Sequence, residues 1–203
     1  MKFLYVTDRP ALGDAAFVEL LESLHGADHL LVELREKRST DREALRWAGV
    51  AREKLGPSVP LLVNRRLDVA FAAGADGVHL PADGLPVPRV RAASPRRMRV
   101  GASTHSSEEA LRAIEEGADV VVIGPIFETP SKASYGAPLG TRSLGALPAR
   151  RTHGAEVFAI GGIDESRLEE LSQFGDRISG VAGIRVVQQA RDPRAVVERI
   201  ARL

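Results

Sequence analysis

Phe3-Leu4-Tyr5-Val6-Thr7-Asp8-Arg9-Pro10 decides between two folds. Its first four residues have the aromatic and aliphatic character of a buried strand, and Thr7-Asp8-Arg9-Pro10 ends that strand in a turn. A doubly wound open sheet often carries a G-x-G-x-x-G turn after its first strand, and this chain has none there. Working outward, similar runs recur at His29–Arg35, Pro60–Asn64, Gly77–Leu80, Arg99–Thr104, Asp119–Gly124, Glu156–Gly162 and Ile178–Ile184. With Phe3–Asp8 they make eight strand candidates. Between them lie segments with helical spacing, such as Ala15, Val18, Leu20, Leu21 and Leu24, or Ala110, Leu111, Ile114 and Ala118. Ser106-Ser107-Glu108-Glu109 and Asp164-Glu165-Ser166 read as helix starts. Eight strands alternating with about eight helices over 203 residues fit a unit of ~25 residues, the lower size range of a (β/α)8 barrel. The expectation is an α/β protein, a TIM barrel forming one domain over residues 1–203. Its chemistry is then expected on the loops that follow the strands' C-terminal ends.

Composition narrows the function classes. Hydrophobic content of 44% and charged content of 27% fit a globular chain rather than a disordered one. No stretch approaches the ~18 apolar residues of a membrane-spanning helix. The first residues meet Asp8 too early for a signal peptide, so a cytoplasmic protein is expected. The absence of cysteine removes disulfides, thiolate metal sites and cysteine nucleophiles. A net charge of +1 gives no electrostatic case for nucleic acid or an anionic membrane as partner. Only four of the 28 basic residues are lysines, Lys2, Lys37, Lys54 and Lys132. A lysine kept in so arginine-rich a chain is either a chance retention or a point charge that a planar guanidinium cannot replace.

The loops after the strands carry the candidate chemistry. Ala159-Ile160-Gly161-Gly162-Ile163-Asp164 ends strand seven and opens a helix, and Ala182-Gly183-Ile184 ends strand eight. Glycines let backbone N–H groups approach a ligand, helix N-termini favour anions, and barrels often hold phosphate at these two loops. A tight turn without a ligand is the simpler alternative. In strand two the period of two puts Leu31, Glu33 and Arg35 on one face, which leaves either an ion pair or two functional groups at the barrel mouth. His79 at the end of strand four reads as a hydrogen-bonded structural histidine. The loop Gly124-Pro125-Ile126-Phe127-Glu128-Thr129-Pro130-Ser131-Lys132 offers two hydroxyls and a mobile cation suited to phosphate.

These residues, in this order, resemble the thiamine phosphate synthase and thiazole tautomerase superfamily over nearly the whole chain. The resemblance lies in Tyr5-Val6-Thr7-Asp8, Leu34-Arg35-Glu36-Lys37, Val63-Asn64, Ala75-Asp76-Gly77-Val78-His79-Leu80 and Gly101-Ala102-Ser103-Thr104-His105. It continues through Gly117-Ala118-Asp119, Gly124-Pro125-Ile126-Phe127 with Thr129, Ser131 and Lys132, and Ala159-Ile160-Gly161-Gly162-Ile163. It implies a (β/α)8 barrel that takes thiazole phosphate as its small-molecule partner, and a homodimer, since the family commonly forms one. By motif position, Ser103, Thr129, Ser131 and Lys132 match residues holding substrate or departing pyrophosphate. Gly161, Gly162, Ala182 and Gly183 match the phosphate cradle, and Arg35, Lys37 and Asn64 match the site of the pyrimidine diphosphate.

The chain departs from the synthase pattern at one half-site. Arg65 stands where the resemblance implies a metal-binding Asp after Asn64, Gly84 stands at the second Asp, and Glu33 replaces a Gln. Magnesium takes hard oxygen ligands, usually one or two carboxylates. These departures favour the tautomerase branch, an isomerase that aromatises a carboxythiazole phosphate by moving a proton without a metal. Pro125 occupies the place of that branch's histidine base, so Glu33 is the candidate base, with His105 as runner-up and Lys132 in the catalytic loop. The alternatives are a thiamine phosphate synthase that uses Mg2+, and a non-catalytic binder of thiazole phosphate.

Overall fold

Each of the eight apolar runs becomes a strand. The computed structural model describes residues 1–94, 98–129 and 137–203. The strands are β1 (Lys2–Val6), β2 (Leu30–Leu34), β3 (Leu61–Asn64), β4 (Gly77–Leu80), β5 (Arg99–Thr104), β6 (Val120–Ile123), β7 (Glu156–Ile160) and β8 (Gly180–Gly183). All pair in parallel and in chain order, and β8 returns to β1 to close the barrel. Closure requires a glycine at position 180. A Cβ there would fall within the van der Waals radius of the Lys2 carbonyl on the facing strand.

The helices around the barrel are α1 (Arg9–Leu12), α2 (Asp14–Ser23), α3 (Asp41–Leu55), α4 (Leu67–Ala72), α5 (Val87–Ala93), α6 (Ser107–Glu115), α7 (Arg142–Gly145), α8 (Glu165–Ser172), α9 (Arg185–Gln188) and α10 (Pro193–Ala201). The start signals read from the sequence are used: Ser106 accepts from the Glu109 N–H, and Asp164 accepts from the Arg167 N–H. Thr40 and Glu43 form a reciprocal capping box at the head of α3. No helix among the described residues is long and apolar enough to cross a membrane.

The two-residue period of the strands divides the core in two. Leu4, Leu31, Leu62, Val120, Val122, Phe158 and Ala182 fill the barrel, while Phe3, Tyr5, Val32, Leu61, Val78 and Val121 face the helices. Burying side chains of this size stabilises by ~1.5–3 kcal/mol each. The strand ends are shorter than the apolar runs suggest. β7 stops at Ile160 because Gly161 and Gly162 turn to φ values of +101° and +65°, outside any strand.

Candidate active site

Above the apolar plug, the inward positions of β2 to β5 become polar. Glu33 follows Leu31 on the inner face of β2, as its phase requires, and is only 3% exposed. Asn64 at the end of β3 donates from Nδ2 to Glu33 Oε1 at 2.8 Å. His79, on β4 and 1% exposed, places Nε2 at 2.8 Å from Ser103 Oγ on β5 and 3.8 Å from Glu33 Oε2. Its Nδ1 is buried with no hydrogen-bond partner among the described residues, beside Gly101, where a Cβ would approach to 2.5 Å. His79 Nε2 and Ser103 Oγ share a hydrogen bond that fixes where the Ser103 hydroxyl sits at the mouth. His79 is thus the hydrogen-bonded histidine expected from sequence, in a row that links Asn64, Glu33, His79 and Ser103.

Two arcs of the mouth present groups suited to anions. The first follows β2 and β3. The Arg35 N–H donates to Thr7 Oγ1 at 2.9 Å, which anchors a half-buried guanidinium that has no ion-pair partner among the described residues. Arg65 binds Asp83 at 2.5 Å. That contact, with a smaller contribution from Lys37, holds the Asp83 carboxyl below its ordinary pKa. The second arc follows β6, β7 and β8. Gly162, Thr129, Ala182, Arg167 and Arg185 line one side of a cavity of about 680 Å³ that continues between the barrel and helices α8 and α10, past Phe3, Val181 and Ile200. The turn at 161–162 is pressed against the loop after β6: a Cβ on Gly161 would lie 2.6 Å from Pro125 Cβ. Arg167 stacks over the Phe127 ring, 4.6 Å from its centroid, and donates to the Gly162 carbonyl.

His105 stands between the arcs, with Nδ1 donating to the Gly124 carbonyl at 2.6 Å and its N–H to Glu109. Ser131 and Lys132 lie outside the described residues. Arg167 and Arg185 were not identified from sequence. Arg185 is the first residue of the helix after the strand-eight turn, a position where a cation next to a phosphate loop is readable in principle.

The first arc holds two carboxylates, Glu33 bonded by Asn64 and Asp83 bonded by Arg65. Among the described residues no group of three His, Asp or Glu side chains could hold a metal ion. Asp83, the carboxylate beside Asn64 and Arg65 at the mouth, is already bound to a guanidinium. At about 4 Å two like unit charges repel by ~1 kcal/mol in water and ~4 kcal/mol at an effective surface dielectric of ~20, and a divalent ion doubles both figures.

A family model described as thiamine monophosphate synthase matches residues 3–189. The chain is 37% identical over 192 residues to a putative thiamine-phosphate synthase of Geobacter sulfurreducens, spanning 93% of this chain and 87% of that protein. It is also 37% identical over 177 residues to the thiamine-phosphate synthase of Gloeobacter violaceus, spanning 87% of this chain but only 50% of that longer protein. Among solved structures, thiamine phosphate pyrophosphorylase from Pyrococcus furiosus superposes with a TM-score of 0.81 at 28% identity, covering 99% of this chain and 94% of that one. These relatives overturn the expectation of a thiazole tautomerase, because the proteins this chain is similar to carry the name of the joining enzyme, a transferase. The departures at Glu33, Arg65 and Gly84 change the charge of one arc and leave similarity to synthases over the rest of the chain. The proton-transfer roles expected of Glu33 and His105 belonged to the tautomerase reaction and are withdrawn with it.

Proposed function

The chain belongs to the thiamine monophosphate synthase family, and from that premise we propose that it joins hydroxymethylpyrimidine diphosphate to thiazole phosphate with release of pyrophosphate. In that reaction the bond between the pyrimidine methylene carbon and the diphosphate oxygen breaks, and the electron pair leaves with the diphosphate. The thiazole nitrogen lone pair forms the new C–N bond and leaves a positively charged ring. No redox partner is needed.

The observation that carries this reading is the similarity to thiamine-phosphate synthases over most of the chain; cationic side chains after β2 and β3 and the paired-glycine turn after β7 support it at the barrel mouth. We assign Arg35, Lys37 and Asn64 to the diphosphate end. Gly161, Gly162, Ala182, Gly183 and Thr129 are assigned to the phosphate of the thiazole. Ser103, oriented by His79, donates to the departing oxygen between them, where developing negative charge is greatest. Ser131 and Lys132 are assigned to the pyrophosphate by motif position alone. The apolar fill of Val122 and Phe158 below the mouth gives the two rings a dry floor. The proposal takes residues 1–203 as one catalytic unit, located in the cytoplasm and dimeric like its family.

Mixing the purified protein with both substrates tests it. Thiamine phosphate and pyrophosphate, followed by mass spectrometry and a phosphate-coupled assay, should appear in equal amounts. Pyrophosphate without the joined product, or no turnover, would remove the reading.

A further inference from the structure

We infer that Glu36 is a positioning residue for the diphosphate end of the mouth, holding the loop that carries Arg35 and Lys37 through a buried ion pair with Arg9. This rests on the synthase reading and deepens it by saying what sets the geometry of that half-site.

Glu36 lies between two residues assigned to the diphosphate, so its carboxylate would offset their charge if it faced the ligand. It faces Arg9 instead. The Glu36 side chain is 5% exposed and accepts a two-pronged bond, from Arg9 Nε to Oε1 at 3.1 Å and from Nη2 to Oε2 at 2.8 Å. Arg9 opens α1 just after β1 and is itself fixed twice more. It binds Asp14 at 2.5 Å, and its guanidinium lies 4.5 Å from the ring centroid of Trp47 on α3. Ser39 donates to Glu36 Oε2 at 2.7 Å, which closes residues 36–39 into a turn across Lys37 and Arg38. One residue earlier, the Arg35 N–H is held by Thr7. Lys37 reaches near enough to Asp83, on the loop after β4, to add to the larger effect of Arg65 in lowering the pKa of that carboxyl. The connection from β2 to α3 is thus tied to the loop after β1 and, through Arg9 and Trp47, to α3. The backbone that bears Arg35 and Lys37 is set before a ligand arrives, so less ordering is left to the binding step.

Isothermal titration of the full chain tests the inference, in buffer containing Mg2+, with inorganic pyrophosphate and thiazole phosphate as separate probes. Glu36→Gln and Arg9→Met should each weaken pyrophosphate binding by about tenfold to a hundredfold, the scale of loss when positioned groups shift by about 1 Å. Thiazole phosphate affinity should stay the same. Because the pair acts as one unit, the double variant should bind pyrophosphate no more weakly than either single one. In turnover, KM for the pyrimidine diphosphate should rise while KM for thiazole phosphate holds. Ser39→Ala opens the turn without unpairing a charge and should cost pyrophosphate affinity a few-fold, which keeps the test available if the charge variants fail to fold. Glu156→Gln breaks an ion pair at the opposite end of the barrel and should change neither affinity. Unchanged pyrophosphate binding in the variants, or an equal loss for both probes, overturns the inference. Tighter binding by Glu36→Gln does so as well, since the carboxylate would then repel the ligand rather than frame its site. Wild-type protein that fails to bind pyrophosphate overturns it too. If the isotherms come out as expected and no thiamine phosphate forms, the synthase reading falls and the positioning role of Glu36 at an anion site stands.

Discussion

Replacing Gly162 by Ala should damage the phosphate arc in a way that can be separated from ordinary backbone strain. Gly162 sits at φ +65°, and a Cβ there would meet the Phe127 carbonyl carbon and Cβ at 2.9 Å, with the Glu128 carbonyl oxygen closer still. Two of these are backbone atoms, so the loop after β6 must move rather than a flexible side chain. The left-handed conformation costs an alanine ~1–2 kcal/mol, and overpacking against a well-packed neighbour adds ~1–3 kcal/mol. Gly74 supplies the control: its φ is +63°, and nothing lies within 4 Å of a Cβ built on it. Gly74→Ala should therefore lose only the strain term. For a chain of this size each kcal/mol moves Tm by ~2–4 °C. Gly162→Ala should accordingly unfold roughly 2–12 °C below Gly74→Ala, measured by thermal circular dichroism. It should also bind thiazole phosphate at least about tenfold more weakly, which is ~1.4 kcal/mol, while Gly74→Ala binds normally. Equal melting temperatures, or equal affinities for thiazole phosphate, would refute the packing argument for this turn.

Gly101→Ala should push the His79 ring away from Ser103, since the new Cβ starts 2.5 Å from Nδ1. Its expected signature is a fall in the rate of joining with a smaller change in KM; an unchanged kcat would break the link between His79 and Ser103. At the opposite end of the barrel, burial opposes ionisation of Glu156, but bonds to Lys2 and Arg99 outweigh it and hold its pKa below the ordinary value. Its stabilising contribution is complete above the unfolded carboxylate pKa of about 4.3 and is lost as pH falls through the lower folded value. Denaturant titrations should therefore show Glu156→Gln with a shallower loss of stability than wild type in acid, and parallel curves would contradict the assignment.

Much of the barrel was readable because its signal is local. The apolar runs, the Ser106 and Asp164 caps, and the inward phase of Leu31 and Glu33 need only neighbours a few residues apart. The row from Asn64 through Glu33 and His79 to Ser103 needs four strands in register, with Asn64 beside His79 and His79 beside Gly101, and no local pattern carries that information. The same holds for Gly180, whose role appears only when β8 meets Lys2. The two arcs were foreseen as loops after strands two, three, seven and eight, but Arg167 and Arg185 were not, because helix residues enter the mouth by tertiary placement. The tautomerase expectation failed for a different reason. It gave three substitutions in one arc more weight than the similarity of the chain as a whole, although a change of charge at Arg65 alters how an anion is held without dictating which bond is made.

The most direct measurement of the central claim is a crystal structure of the protein with thiamine phosphate and pyrophosphate bound together. The account predicts the thiamine phosphate with its phosphate on the turns at Gly161–Gly162 and Ala182–Gly183, and the pyrophosphate against Arg35 and Asn64 across the same mouth. Both ligands crowded into one arc, or neither held at the mouth, would contradict it.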